Sequence, residues 1–187
     1  MKLKRAIATL ILGLGLASGA QAGLVGVKTI QITNAINEWL QVSEFSAWNM
    51  GGTNVALATN GATASAPDTW NTLSTPARAI DGSLLTTFPN MFHEGAPRTG
   101  DTLTITLASV QEIASIQIWG RSDCCSLRDV YDITFRDANG GFLFMLDNLS
   151  AANTSHTAAA QVPEPASLAL LGLGLLGLGA SRRARKK

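Results

Sequence analysis

Between residues 23 and 148, apolar and polar positions alternate in short runs. Residues 27–33 set Val27, Ile30 and Ile32 among Lys, Thr and Gln, the pattern of a half-buried strand rich in β-branched side chains. Residues 39–45 predict a second strand with Leu40, Val42 and Glu44 on one face. Residues 102–107 put Leu103, Ile105 and Leu107 on one side, and residues 113–119 repeat the pattern with Ile116 and Ile118. Strands over 131–135 and 142–146 follow, joined by residues 137–141, whose Asn139-Gly140 marks a hairpin turn. No part of this body carries the 3.6-residue period of an amphipathic helix. Gly51-Gly52 and residues 60–77, dense in Ala, Thr, Ser, Asn and Pro, read as long loops. Short strands between long loops predict an all-β domain over 23–148, an antiparallel β-sandwich.

Two apolar runs break this pattern. Residues 1–22 open on Lys2, Lys4 and Arg5, continue apolar from Ala6 to Ala17, and close on Ala20-Gln21-Ala22 before Gly23. That is the layout of a secretory signal peptide, and it implies an oxidising destination. Residues 166–180 are apolar throughout and lie between Pro163-Glu164-Pro165 and a basic tail over 181–187. Such a helix reaches only about 22 Å, against a hydrocarbon core of about 30 Å. A short transmembrane helix of this length suits a temporary stop-transfer element; a plain single-pass anchor is the alternative. Basic residues at both ends stay cytoplasmic and leave the middle of the chain outside. Residues 149–161, which include His156, have no apolar period and predict a flexible linker.

Composition sharpens this division. The chain has 187 residues, 46% hydrophobic and 14% charged, with a net charge of +1. That figure hides a segregation. Residues 1–22 hold three basic groups and 181–187 hold five, whereas 23–161 carry six Lys/Arg against twelve Asp/Glu, a net of −6. An acidic body argues against nucleic acid as a partner. The 139 residues of 23–161 leave one modest core and exclude a two-domain enzyme.

Chemistry concentrates in residues 119–128. The chain's only two cysteines, Cys124 and Cys125, are neighbours. In an exported protein they can pair with each other, and such a bond staples no distant parts of the chain. Pairing between molecules and a reduced thiol pair are the alternatives. Around them Arg121, Asp123 and Arg128 suggest a division of labour. Two guanidiniums present forks of donors suited to the neighbouring oxygens of a sugar, and Asp123 holds one of them in place. His93 adds a ring nitrogen. The competing reading is a solvated loop of salt bridges to Asp123 and Asp129. The residues carry no Ser/His/Asp order, metal–histidine cluster or phosphate loop, so an enzyme is not expected.

Both chemical regions resemble known families. Pro163-Glu164-Pro165, the apolar run and the terminal Arg/Lys cluster resemble the PEP-CTERM sorting signal over 162–187. That resemblance implies processing by an exosortase-type membrane protease in a Gram-negative bacterium. The protein would be anchored in the inner membrane until cleavage, then sent to the cell surface or outside. His93, Arg121, Asp123, Cys124-Cys125 and Arg128 resemble the signature of F-type lectins (fucolectins), with residues 54–57, 62–65 and 79–83 similar to that family's opening blocks. This second resemblance covers roughly 54–146. It implies a discoidin-like, galactose-binding-like jelly roll with a site for L-fucose or a similar glycan. His93, Arg121 and Arg128 would then bond the sugar, Asp123 would orient an arginine, Cys124–Cys125 would pack on the ring, and Trp70 and Phe88 would meet its methyl group. The family's closing strand is missing after Leu146, whereas residues 40–45 match its style, which suggests a circularly permuted domain with Glu44 beside Asp81. A structural calcium would sit there on Glu44 and Asp81, with carbonyls of Ser43, Arg78, Ser83 and Asn90. The alternative to a lectin is an adhesive discoidin-like module binding protein or membrane through apolar tips at Trp48, Met50, Trp70, Phe88, Met91 and Phe92.

Overall fold

The computed structural model describes residues 23–97, 101–152 and 157–161. The expected signal peptide, Pro163-Glu164-Pro165, the apolar run 166–180, the basic tail and His156 lie outside the described residues. The strands are β1 (Leu24–Asn34), β2 (Gln41–Val42), β3 (Glu44–Asn49), β4 (Thr63–Ser65), β5 (Phe92–His93), β6 (Thr102–Trp119), β7 (Val130–Arg136), β8 (Phe142–Ser150) and β9 (Thr157–Gln161). Every strand pairing is antiparallel. The only helical pieces among the described residues are short 3-10 turns at Ala58–Asn60, Pro76–Ile80 and Ser126–Arg128.

The larger sheet runs β3-β6-β1-β7-β8, with β4 and β9 also on β6, and β2 pairs with β5 separately. β1 is central because its alternation is clean where it matters: Ile30 and Ile32 are fully buried between partners on β6 and β7. At its start the ladder slips around Gly26, whose φ of +85° a residue with a Cβ adopts only at a cost. The core gathers Tyr131, Phe45, Phe92, Phe135 and a set of Ile and Leu side chains from both sheets.

Three features differ from the sequence-based expectation. Residues 102–107 and 113–119 form one strand, β6, rather than two. No Gly or Pro interrupts Ala108–Glu112, so the chain runs on through an exposed middle instead of reversing. The first part of β6 lies between β1 and β4, and Ser115–Trp119 lies between β3 and β9. The strand expected over 39–45 is divided at Ser43, which donates its amide to the Trp119 carbonyl (2.8 Å) and its hydroxyl to the Gly120 carbonyl (2.8 Å). Alternation misleads there because Leu40, Gln41, Val42, Ser43, Glu44 and Phe45 are all buried.

The expected linker is the third. Its last five residues are β9, paired in register from Thr157 opposite Trp119 to Gln161 opposite Ser115. Small and polar residues gave no periodic signal, but an open strand edge supplies backbone donors and acceptors to whatever chain lies beside it. Ladder hydrogen bonds protect amides from exchange. The amides of 157–161 are therefore expected to exchange about a hundredfold more slowly than an unpaired segment of the same sequence, as read by hydrogen-exchange mass spectrometry. Random-coil exchange rates would remove β9 from the sheet.

Candidate functional site

The site is built at the end of β6, where the chain leaves Trp119 and returns as β7 at Val130. Asp129 organises this turn. It is fully buried; its Oδ1 accepts from Gln41 Nε2 (3.0 Å) and its Oδ2 from the Arg121 amide (2.8 Å). Gly120 is required beneath it, because a Cβ there would overlap the Asp129 carboxylate. Tyr131 donates its hydroxyl to the Gln41 carbonyl (2.7 Å), which fixes β2 against the same turn. Burial pushes the Asp129 carboxyl up from its ordinary 3.8 to about 6, against the opposing effect of its hydrogen bonds.

Within the turn, Cys124 and Cys125 form a disulfide between neighbours. Cys125 takes a left-handed conformation (φ 59°, ψ 27°) and begins the 3-10 turn Ser126–Arg128, its carbonyl accepting from the Arg128 amide (3.0 Å). The two arginines project from either side of this knob, and each has its own carboxylate. Arg121 forms a fork on Asp123, Nε to Oδ1 at 2.7 Å and Nη2 to Oδ2 at 3.3 Å, and lies over the Phe88 ring at 5.2 Å. That contact holds the Asp123 carboxyl below its usual range. Arg128 pairs with Glu38 (3.3 Å) and stacks over Trp39 at 4.7 Å.

The remaining walls arrive from distant segments. His93 lies on β5, placed by pairing with Gln41 of β2. Its Nδ1 is 2.8 Å from the Glu94 carbonyl, an acceptor only, so Nδ1 carries the proton and Nε2 is left as an acceptor. Burial lowers the His93 pKa from 6.5, and the Arg121 and Arg128 charges lower it further, although the Glu94 carbonyl opposes them. The imidazole is therefore neutral at neutral pH. Trp70 meets it at 5.6 Å and Phe88 meets it edge-on at 6.1 Å. The loop carrying Phe88, whose bond to Pro89 is cis, is tied to the turn by Thr86–Ser122 contacts and by the Phe88 amide on Asp123.

Trp39, Trp70, Phe88, His93, Arg121, Cys124, Cys125 and Arg128 line one cavity of about 360 Å³. Of the residues singled out from the sequence, Asp123 stands behind Arg121 and the other seven share this wall. Trp39 and its neighbour Glu38 were missed. Nothing local marks them; they reach the cavity because Asn34 at the end of β1 donates its side-chain amide to the carbonyls of both Trp39 (3.2 Å) and Arg128 (2.7 Å). The competing reading, with Asp129 as a salt-bridge partner on a solvated loop, does not fit: Asp129 is buried and accepts from the Gln41 side chain and the Arg121 amide. Of the suggested adhesive tips, Met91 and Phe92 are buried and unavailable, whereas Met50 and Trp70 are exposed.

The proposed cation ligands are partly assembled. Glu44 is buried, and its Oε2 accepts from the Gly82 amide (3.2 Å) while Oε1 has no hydrogen-bond partner. Burial, with the Asp81 charge adding to it, pushes the Glu44 carboxyl up to about 8. Asp81 also pairs with Arg78 (3.3 Å) and accepts from the Ser83 amide (2.8 Å). The Ser43 hydroxyl is committed to Gly120, and the Asn90 side chain donates to the Thr87 carbonyl (3.2 Å). Both bonds use donor hydrogens, so the oxygen lone pairs of these two residues stay open to a metal. Among the described residues no cluster of three His, Cys, Asp or Glu side chains forms a metal site.

Residues 161–184 match the PEP-CTERM protein-sorting motif. The match starts on the last residue of β9 and takes in Pro163-Glu164-Pro165 and the apolar run. It implies an exported protein processed by an exosortase-type enzyme, with membrane-associated sorting and a cell-surface or extracellular fate. No curated protein and no solved structure matches the chain. Among the described residues no helix is long and apolar enough to cross a membrane.

The titration of Asp129 has a checkable sign. A carboxyl whose pKa is raised on folding contributes stability that is complete below about 3.8 and is lost as pH rises through about 6. Asp129→Asn cannot titrate. The stability gap between wild type and this variant is expected to narrow by up to about 3 kcal/mol from pH 4 to pH 7, measured by urea unfolding. A gap that widens with pH would reverse the assignment.

Proposed function

We propose that this protein is an exported carbohydrate-binding module, similar to F-type lectins, that takes a neutral sugar such as fucose and works without turnover at the cell surface or in extracellular polysaccharide. The reading includes a galactose-binding-like sandwich, circularly permuted so that β1 and β3 replace the family's closing strands. A chain held in the inner membrane by its C-terminal helix until cleavage completes it. The carrying observation is one cavity lined by two guanidiniums, a neutral imidazole and a vicinal disulfide between aromatic faces.

The electrostatics favour an uncharged ligand. Arg121 is balanced by Asp123 and Arg128 by Glu38, so the cavity offers directed donors with little net positive field. A sugar hydroxyl can accept from a guanidinium and donate to His93 Nε2, which needs both kinds of partner at once. The apolar faces of Trp70, Phe88 and the disulfide suit the carbon side of a deoxy-sugar. A second reading, adhesion to protein or membrane, draws on the exposed tips Met50 and Trp70, with Leu73, Leu84 and Leu85 also exposed. Removing Arg128 separates the two, because an apolar contact does not need it.

Titration of L-fucose into the full chain in detergent, followed by calorimetry, is expected to give saturable binding. Arg128→Ala is expected to remove it with the melting temperature little changed, since charge-assisted hydrogen bonds contribute about 1.5–3 kcal/mol each. Unchanged affinity in the variant, or no binding by the folded wild type, would overturn the assignment.

Glu44 and Asp81 fit a hard cation: a buried carboxyl oxygen without a donor lies beside a second carboxylate. Calcium held there, with carbonyls of Ser43, Arg78, Ser83 and Asn90 completing the oxygen set, would neutralise both acids and tie β3 to the 81–83 turn. Calcium at a hundredfold excess over its Kd is expected to stabilise the protein by about 2.7 kcal/mol over chelator, read as a rise in Tm. Glu44→Gln should abolish that rise; a Tm indifferent to calcium in the wild type would remove the ion from the account.

A further inference from the structure

A side chain from the middle of β6 holds the start of β1. The Gly23 amide donates to Glu112 Oε1 (3.0 Å), and the next residue, Leu24, is buried opposite Ile113. Gly23 lies so close to β6 that a Cβ there would fall 2.6 Å from the Ile113 carbonyl oxygen. Beyond Leu24 the β1–β6 ladder slips twice before regular pairing resumes at Thr29. The Glu112 bond thus pins the entry to a strand whose opening ladder is irregular. The sequence places a second boundary at the same residue. Ala20-Gln21-Ala22 is the small-x-small site of a signal peptide, and cleavage after Ala22 leaves Gly23 first. The match to the sorting motif implies export by that route.

We infer that removal of the leader creates the partner for Glu112: the new α-ammonium of Gly23 forms an ion pair with that carboxylate and locks the first residue of the mature chain into the sheet. Hydrolysis breaks the Ala22–Gly23 amide. The water oxygen ends on the Ala22 carbonyl carbon as a carboxylate of the leader, and the Gly23 nitrogen leaves with both water protons as an ammonium. Before cleavage that nitrogen offers one neutral N–H; afterwards it offers three donors and a positive charge. The acceptor already stands at hydrogen-bond distance, so the charge-assisted bond forms without rearrangement of Glu112. The fold also explains the residue at the boundary. The cleavage pattern asks for small residues at 20 and 22, whereas the Ile113 carbonyl leaves room only for glycine at 23. The pair does not depend on what the cavity binds.

The full chain, expressed with its leader in a Gram-negative host and purified in detergent, is expected to begin at Gly23 by N-terminal sequencing; any other first residue overturns the inference. The decisive comparison is Glu112→Gln in two backgrounds, the processed chain and an uncleaved chain carrying Ala20→Leu and Ala22→Leu. Gln keeps an oxygen that can accept from an amide but lacks the charge. In urea unfolding near neutral pH, Glu112→Gln is expected to lower the folding equilibrium constant of the processed chain about tenfold and that of the uncleaved chain less than about twofold. An equal effect in both backgrounds, or none in either, overturns the ion pair and leaves Glu112 an ordinary strand contact. Should the variant not fold, the wild-type amine decides the matter. Its reductive methylation is expected to run about tenfold slower than that of a free peptide of residues 23–30, because a paired ammonium yields its proton less readily. Methylation at the peptide's rate overturns the pair.

Discussion

The buried carboxylate of Asp129 is the constraint on which the site depends. It is an anion in the floor of a turn, and burial of a carboxylate is costly unless donors surround it. The donors recruited for it, the Arg121 amide and the Gln41 side chain, belong to the loop that carries the arginines and to the strand that places His93. One group thus ties the β6–β7 turn to β2, and through β2 to β5. Gly120 allows the close approach, and the Asp129 carbonyl accepts from the Ala151 amide (2.8 Å), which fastens the end of β8 to the same point. The charged groups on the surface of the turn can then keep a fixed geometry without being buried themselves.

Much of this was legible in the sequence, for a physical reason. Burial on one face of a strand writes a period of two, so Ile30, Ile32, Leu103, Ile105 and Ile133 announced their strands. The candidate site was legible because its chemistry is compressed into eight residues, Arg121 to Arg128, with His93 as an outlier. Residues buried on two faces, such as 40–45, lose the alternation and were misread. β9 was misread for the opposite reason: its small side chains carry no pattern, and its position is set by backbone pairing to β6. Trp39 and Glu38 reach the cavity through Asn34 and the β1–β7 register, which are long-range facts that no local motif records.

The pairing of each guanidinium with a carboxylate also bears on selectivity. An arginine without a partner acts as a general anion receptor, and a cavity with two of them would draw sulfate, phosphate or uronate. Asp123 and Glu38 cancel that attraction while holding the planar forks in orientation. Trp39 and Phe88 add stacking surfaces that restrict the same two side chains. Less rotamer entropy then remains to be lost when a ligand arrives, and preorganisation of this kind raises affinity without new contacts. Under the proposed carbohydrate reading, a neutral, hydroxylated ligand would gain the hydrogen bonds and forgo little by lacking charge.

The two functional statements of the chain meet in β6. Its final residue, Trp119, leads into the site loop, and the same residue faces Thr157 at the start of β9. β9 runs antiparallel to β6 and ends at Gln161 opposite Ser115, four residues back along β6 and roughly 13 Å from the end that carries the cavity. The sorting motif begins at that far end. Gln161, where the motif begins, is thus set back along β6 from the turn that carries the site. If the flexible-linker expectation had held throughout, the domain would tumble on its tether and the direction of the cavity would be arbitrary. Pairing of β9 joins the start of the motif to the fold, because the last described strand before it belongs to the same ladder that leads into Arg121. The edge strand that joins the motif to the site-bearing β6 is made from the least patterned stretch of the body, where backbone pairing sets its place.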